Sequence, residues 1–333
     1  MPRQAFALYS GCQSTRFARK SRGYGEIGPW SEPIMYYFLS LLIGIFVAVM
    51  ITVNGGLTSL YGIYSAAVII HIVGLILIGT IILFRREKPF AKRFPWYFYI
   101  GGVLGVGTTA STNFAFGQIS ISAILAVGLF GMSIAGVLTD QFGLFGMKKH
   151  PFRAYQIPGI LLVLSGIIWM MNGGFSLWPV LAVFGSGFLI VVARSYNARL
   201  ASETSVFVST FYNYVCGLAT AFLVFLFFGL EEPIWMEFRL SPHFWTYLGG
   251  AIGVFTVWLS NVVVVKIPQL YITLLMFVGQ VFTGVLMDAL IDGAVSTQNI
   301  IGGVLVSLGL ALNLLFERRA SRRLTAQRNL VEE

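Results

Sequence analysis

Charge is what this chain has least of. Lys, Arg, Asp and Glu make up 11% of its 333 residues, against about 25% in a soluble domain, so no soluble surface can be assembled from this inventory. Acids are scarcer than bases, 13 against 22. Cysteine occurs twice, Cys12 in a polar tail and Cys216 within an apolar run, which excludes a disulfide framework and a thiolate metal site. The few histidines and acids form no metal-binding pattern, no Ser/His/Asp set and no paired carboxylates. A Gly-x-x-x-x-Gly-Lys phosphate loop is missing too, so ATP is not the expected energy source. No catalytic residue, metal or cofactor is expected.

What remains is apolar. Hydrophobic residues are 57% of the chain and the mean hydropathy is +0.81, as in an integral membrane protein. Crossing about 30 Å of hydrocarbon takes roughly 20 apolar residues. Ten such runs can be placed, near 35–53, 64–84, 97–116, 120–139, 155–171, 177–193, 206–228, 244–264, 269–288 and 299–316. Aromatic residues such as Tyr36, Trp96, Trp178 and Trp245 mark their ends, as interfacial belts do. With ten spans, 21 of the 22 Lys and Arg residues fall on the side of the N-terminus; the exception is Arg239. Cationic loops stay cytoplasmic, so both termini are expected in the cytoplasm, in a multi-pass plasma-membrane (bacterial inner-membrane) protein. The net charge of +9 then reports orientation and anionic headgroups rather than nucleic acid. Residues 1–33 read as a disordered basic tail, 34–172 and 173–316 as two five-helix units, and 317–333 as a basic cytosolic tail. Met35 is a second possible start.

The two units repeat each other. A shift of 143 residues pairs Gly44 with Gly187, Asn54 with Asn197 and Gly74 with Gly217. A shift of 148 pairs Gly101, Gly102, Gly105 and Asn113 with Gly249, Gly250, Gly253 and Asn261, and Asp140 with Asp288. Each unit has an odd number of spans, so the second inserts upside down. The expected fold is all-α, with ten transmembrane helices as two inverted five-helix repeats, a construction found in transporters. The elements Asn54-x-x-Leu57, Gly101-Gly102 and Gly136-Val137-Leu138-Thr139-Asp140-Gln141-Phe142-Gly143 resemble the YdcZ-type branch of the drug/metabolite transporter superfamily, in its fused double-length form. That resemblance covers roughly residues 35–316. It implies an exporter with a central cavity between spans 1, 3 and 4 and their counterparts 6, 8 and 9. The second copy departs where Ala289-Leu290-Ile291-Asp292 replaces Gln141-Phe142-Gly143-Leu144.

A few polar residues stand out against this background. Gln280, inside span 9, with Asn113 and Asn261 are the candidate substrate contacts. His71 is the one histidine expected in the hydrocarbon, where a titratable group is a functional candidate, here for proton coupling. The bland alternative is an imidazole bonded to a neighbouring carbonyl. Asp140 and Asp288 close spans 4 and 9, one on each face, and are candidate gates. A carboxylate at a helix C-terminus opposes the macrodipole, so a basic partner is expected: Lys148, Lys149 or Arg153 for Asp140, and Arg239 for Asp288. Gly101, Gly105, Gly249 and Gly253 have the small-xxx-small spacing of close helix packing. Arg194 ends span 6 and reads as an orientation signal. Together these features predict a secondary transporter, an exporter of a small metabolite or drug-like compound, with proton coupling as an extension. A non-transporting membrane scaffold, dimerising through spans 5 and 10, stays open as an alternative, as does a passive channel.

Overall fold

In a computed structural model of the protein, residues 34–142, 154–171, 176–233, 240–263, 266, 269–293 and 296–332 are described. Ten long helices lie among them: α1 Ile34–Tyr61, α2 Ile63–Arg85, α3 Ile100–Ala115, α4 Ile121–Phe142, α5 Ile157–Met170, α6 Leu177–Glu203, α7 Val206–Phe228, α8 Gly249–Val263, α9 Gln269–Asp292 and α10 Thr297–Glu332. Each expected span falls on one helix. The expected N-terminal tail, Lys148, Lys149, Arg153 and Arg239 lie outside the described residues, as does the side chain of Asp140.

Five helices (α1, α2, α4, α6 and α7) carry apolar windows long enough to cross a bilayer, and the apolar parts of α5, α8, α9 and α10 are shorter. Helices α3 and α8 gain length from a preceding 3₁₀ turn, Trp96–Tyr99 and Phe244–Tyr247. The sixteen residues of α3 and its four-residue turn together rise about 32 Å, the thickness of the hydrocarbon.

Three helices outrun their apolar runs. Helices α1 and α6 continue past positions 53 and 193 to Tyr61 and Glu203. Hydropathy drops at Asn54 and Arg194, yet one helix face stays buried through Asn54, Leu57 and Tyr61 and through Leu200. Packing against neighbours carries the helix on where composition would stop it. Helix α10 runs on to Glu332 through a stretch of Glu, Arg, Ala and Leu, all good helix formers.

The packing is twofold. Helix α1 packs on α8 and α9 as α6 packs on α3 and α4, while α2 meets α7, α4 meets α9 and α5 meets α10. The last three pairs bring each helix against its own repeat counterpart. On α5 and α10, a Cβ at Gly159 would lie 2.6 Å from the Gly309 carbonyl oxygen, and one at Gly166 would lie 2.7 Å from that of Gly302. The rising order 159, 166 thus faces the falling order 309, 302, so the counterparts run antiparallel and the repeats are inverted. These glycines let the two backbones touch, as bilayer packing requires when lipid offers no hydrophobic gain. The faces of α5 and α10 that carry these glycines are therefore used within the chain.

Candidate functional site

Between the two halves lies a cavity of about 250 Å³, at the small end of the ~300–1,000 Å³ typical of ligand pockets. Its walls come from α1, α3, α4, α6, α8 and α9, the six expected spans, and also from α2 and α7. Those two enter because they cross where the halves meet. A Cβ at Gly217 would lie 2.5 Å from the His71 ring, and one at Gly74 would lie 2.0 Å from the Tyr214 ring. Each aromatic fills the notch left by the glycine opposite, and the shift of 143 exchanges the two pairs. His71 therefore sits beside the pseudo-twofold axis.

His71 is 5% exposed and its Nδ1 lies 2.7 Å from the Ala67 carbonyl oxygen. A carbonyl can only accept, so Nδ1 carries the proton and, in the neutral ring, Nε2 keeps its lone pair. Beside it the Tyr214 hydroxyl donates to the Gly250 carbonyl at 3.1 Å.

The cavity wall combines apolar side chains, such as Val47, Met50, Ile51, Leu125 and Leu129, with the amides of Asn54, Asn197, Asn213, Asn261 and Gln280. Asn54 and Asn197, repeat counterparts, press their Oδ1 atoms to 1.8 and 2.1 Å from where a Cβ of Gly249 and Gly101 would stand. These two glycines do serve close packing. Asn197 also donates to Asn213 Oδ1 at 3.0 Å. Hydroxyl protons in the wall are committed to their own helices: Thr109 donates to Gly105 O at 3.1 Å, Ser186 to Val183 O at 2.7 Å and Thr256 to Ile252 O at 2.9 Å. Two buried wall atoms, Asn54 Oδ1 and Asn261 Nδ2, have no hydrogen-bond partner among the described residues. Such atoms are rare in native interiors and call for a ligand or water.

Of the three expected substrate contacts, Gln280 and Asn261 line the cavity. Asn113 does not. It is 3% exposed, its Nδ2 is also unpartnered, and it lies outside the wall. Gly105 departs from expectation in the other direction: a Cβ there would meet nothing within 4 Å. It is a cavity position, not a packing one. Gly253, also in the wall, abuts the Tyr214 hydroxyl.

Arg194 is the main correction. It lies inside α6, nine residues before the helix ends, is exposed and lines the cavity. No Asp or Glu lines that cavity among the described residues. The ion pair seen among those residues is Arg85 with Glu87, at 3.2 Å, far along the chain from Arg194. A charged side chain within a membrane-crossing helix is costly and a functional candidate, and Arg194 stands in the cavity wall with no acidic residue beside it among the described residues. Hydropathy could not find this role, because the apolar run appeared to end there. The period could: Val183, Ser186, Ile190, Arg194 and Asn197 recur at the three- and four-residue spacing of one helix face.

Asp288, whose expected partner Arg239 lies outside the described residues, finds partners at the start of a helix. It is 5% exposed and clasps the start of α4. Its oxygens accept from the backbone N–H groups of Ile121 at 2.6 Å and Ser122 at 3.0 Å, from Ser122 Oγ at 2.5 Å and from Asn299 Nδ2 at 3.1 Å. The positive end of the α4 dipole supplies what a basic side chain was expected to give. Glu232, missed in the sequence, does the same at the start of α2, accepting from Tyr64 N at 2.8 Å, Ser65 N at 2.7 Å and Ser65 Oγ at 2.6 Å. Across the pseudo-twofold, Glu87 accepts from Ser205 Oγ, the N-cap of α7. The clue in the sequence was an acid following both α2 and α7.

A family model described as "Putative inner membrane exporter, YdcZ" matches the chain twice, over residues 35–169 and 178–312. The chain belongs to the YdcZ family of the drug/metabolite transporter superfamily. It is the double-length form, a multi-pass inner-membrane protein with one family unit in each half. A solved structure titled only "Crystal structure of protein" superposes with a TM-score of 0.54 at 20% identity, covering 86% of this chain and 97% of its own. That likeness concerns the fold alone. No curated protein matches.

Proposed function

We propose that this YdcZ-family protein is a secondary transporter that exports a small metabolite or drug-like compound by alternating access. The observation that carries the reading is the cavity itself. It is walled by both inverted halves, close to their axis, and holds buried amide atoms without partners. Rocking one half against the other would open such a site to each face in turn. Gln280 and Asn261 are the substrate contacts in this reading. Asp288 serves as a latch, since it joins the end of α9 to the start of α4 across the halves. His71, the imidazole in the wall, is the proton-coupling candidate. Both termini are taken as cytoplasmic because of the cation distribution.

The test is flux in proteoliposomes. Saturable uptake that is accelerated by substrate on the other side marks a carrier. An unsaturable leak would identify a channel, and no exchange with any compound of a metabolite panel would favour the scaffold.

A further inference from the structure

We propose that the cavity takes a small organic monoanion, its negative charge met by Arg194. This rests on the carrier reading and adds the substrate class to it. Two observations converge. Arg194 lines the cavity and no acidic residue does, among the described residues. The wall hydroxyls of Thr109, Ser186 and Thr256 donate to backbone carbonyls, so an anion in the cavity must find its donors in Arg194 and the amide N–H groups. Of the two unpartnered wall atoms, Asn261 Nδ2 is a donor that an anionic oxygen would satisfy, and Asn54 Oδ1 is an acceptor left for a hydroxyl or N–H elsewhere on the same molecule.

One arginine neutralises one negative charge, and its planar fork suits a two-oxygen group such as a carboxylate. The wall also carries apolar side chains, Val47, Ile51, Leu125 and Leu129 among them, which suit the rest of an amphiphilic organic acid. Cations and zwitterions of net positive charge meet the wrong sign.

The test needs no knowledge of the natural substrate. Gly105→Cys places a thiol in the cavity where nothing lies within 4 Å, in a full-length chain carrying Cys12→Ser and Cys216→Ala, reconstituted in liposomes. Two thiol reagents of similar size are compared: an anionic sulfonatoethyl and a cationic trimethylammonioethyl methanethiosulfonate. The anionic-to-cationic rate ratio is taken relative to the same ratio in the chain that also carries Arg194→Gln. This comparison removes intrinsic reactivity and the field of distant charges. At low ionic strength, a unit charge about 10 Å away should change the ratio about fourfold, even at the dielectric constant of water. Arg194→Lys should preserve the preference, and Ser260→Cys, a second reporter in the same wall, should repeat it. A ratio unchanged by Arg194→Gln, or one favouring the cation, overturns the monoanion while leaving the carrier standing. Labelling by neither reagent at either position overturns the open cavity, and the carrier reading falls with it.

Discussion

Asp288 offers a measurement that separates a structural clasp from an idle surface carboxylate. Two backbone N–H groups of α4, the Ser122 hydroxyl and the Asn299 amide converge on it. A hydrogen bond to a charged group contributes about 1.5–3 kcal/mol, but four on one carboxylate share partners and do not add. Breaking a buried charged network costs about 3–5 kcal/mol, and that range is the better estimate for Asp288→Ala. Asp288→Asn keeps one acceptor oxygen, loses the charge facing the helix dipole and turns an NH₂ toward existing donors; about 2–3 kcal/mol is expected. At roughly 2–4 °C per kcal/mol, the alanine variant should melt at least about 6 °C below the parent. The assay is the loss of the monodisperse peak from size-exclusion chromatography after heating in detergent. Ser122→Ala, which removes one donor, should cost about 1 kcal/mol. An Asp288→Asn protein melting within about 2 °C of the parent would refute the reasoning, because it would mean the dipole and its N–H groups gain nothing from the charge.

Four further outcomes can be checked. Gly131→Ala sets a Cβ 2.2 Å from the Phe184 carbonyl oxygen, so α4 and α6 must part; a loss of about 1–3 kcal/mol is expected. Gly105→Ala meets open space and should leave the melting temperature within about 1 °C, while Gly105→Leu should cut transport more than about tenfold by filling the cavity. Gln280→Ala should raise the apparent Kd of a transported compound several-fold, and an unchanged Kd removes Gln280 from the site. His71→Gln should abolish flux driven by a pH gradient while leaving substrate exchange; a mutant driven as well as the parent ends the coupling role.

The architecture was legible because bilayer thickness, the cation count and the repeat all constrain it independently. Ten apolar runs became ten helices, and paired asparagines fixed the register of the two halves. Lateral contacts were harder. Asn54 and Asn197 looked like residues at span ends, because hydropathy measures transfer into lipid and cannot register that a glycine on another helix opens a seat for an amide. The same limitation placed Gly105 in a packing motif: small-xxx-small spacing shows where a helix could be approached, not whether a neighbour arrives. Asp288 was recognised as important, but its seat at a helix N-terminus becomes visible only in three dimensions.

Symmetry divides the cavity wall into two kinds of position. Some pairs match across the repeat, such as Asn54 with Asn197, Gly101 with Gly249, Gly105 with Gly253 and Thr108 with Thr256. Asn54, Asn197, Gly101 and Gly249 serve the frame, each amide seated on a glycine of the other half. Other pairs differ in chemistry: Ile51 with Arg194, Ile70 with Asn213, His71 with Tyr214 and Met132 with Gln280. All eight of these residues line the cavity. A wall made of two identical halves would present every group twice, and an asymmetric substrate would bind equally well in two opposed poses. Replacing Ile51 by Arg194 and Met132 by Gln280 in the second half breaks that degeneracy, setting a charge and an amide where the first half has apolar side chains. Specificity should therefore follow the positions where the two halves disagree, and exchanging Arg194 with Ile51 should alter which compounds are carried more than it alters the fold.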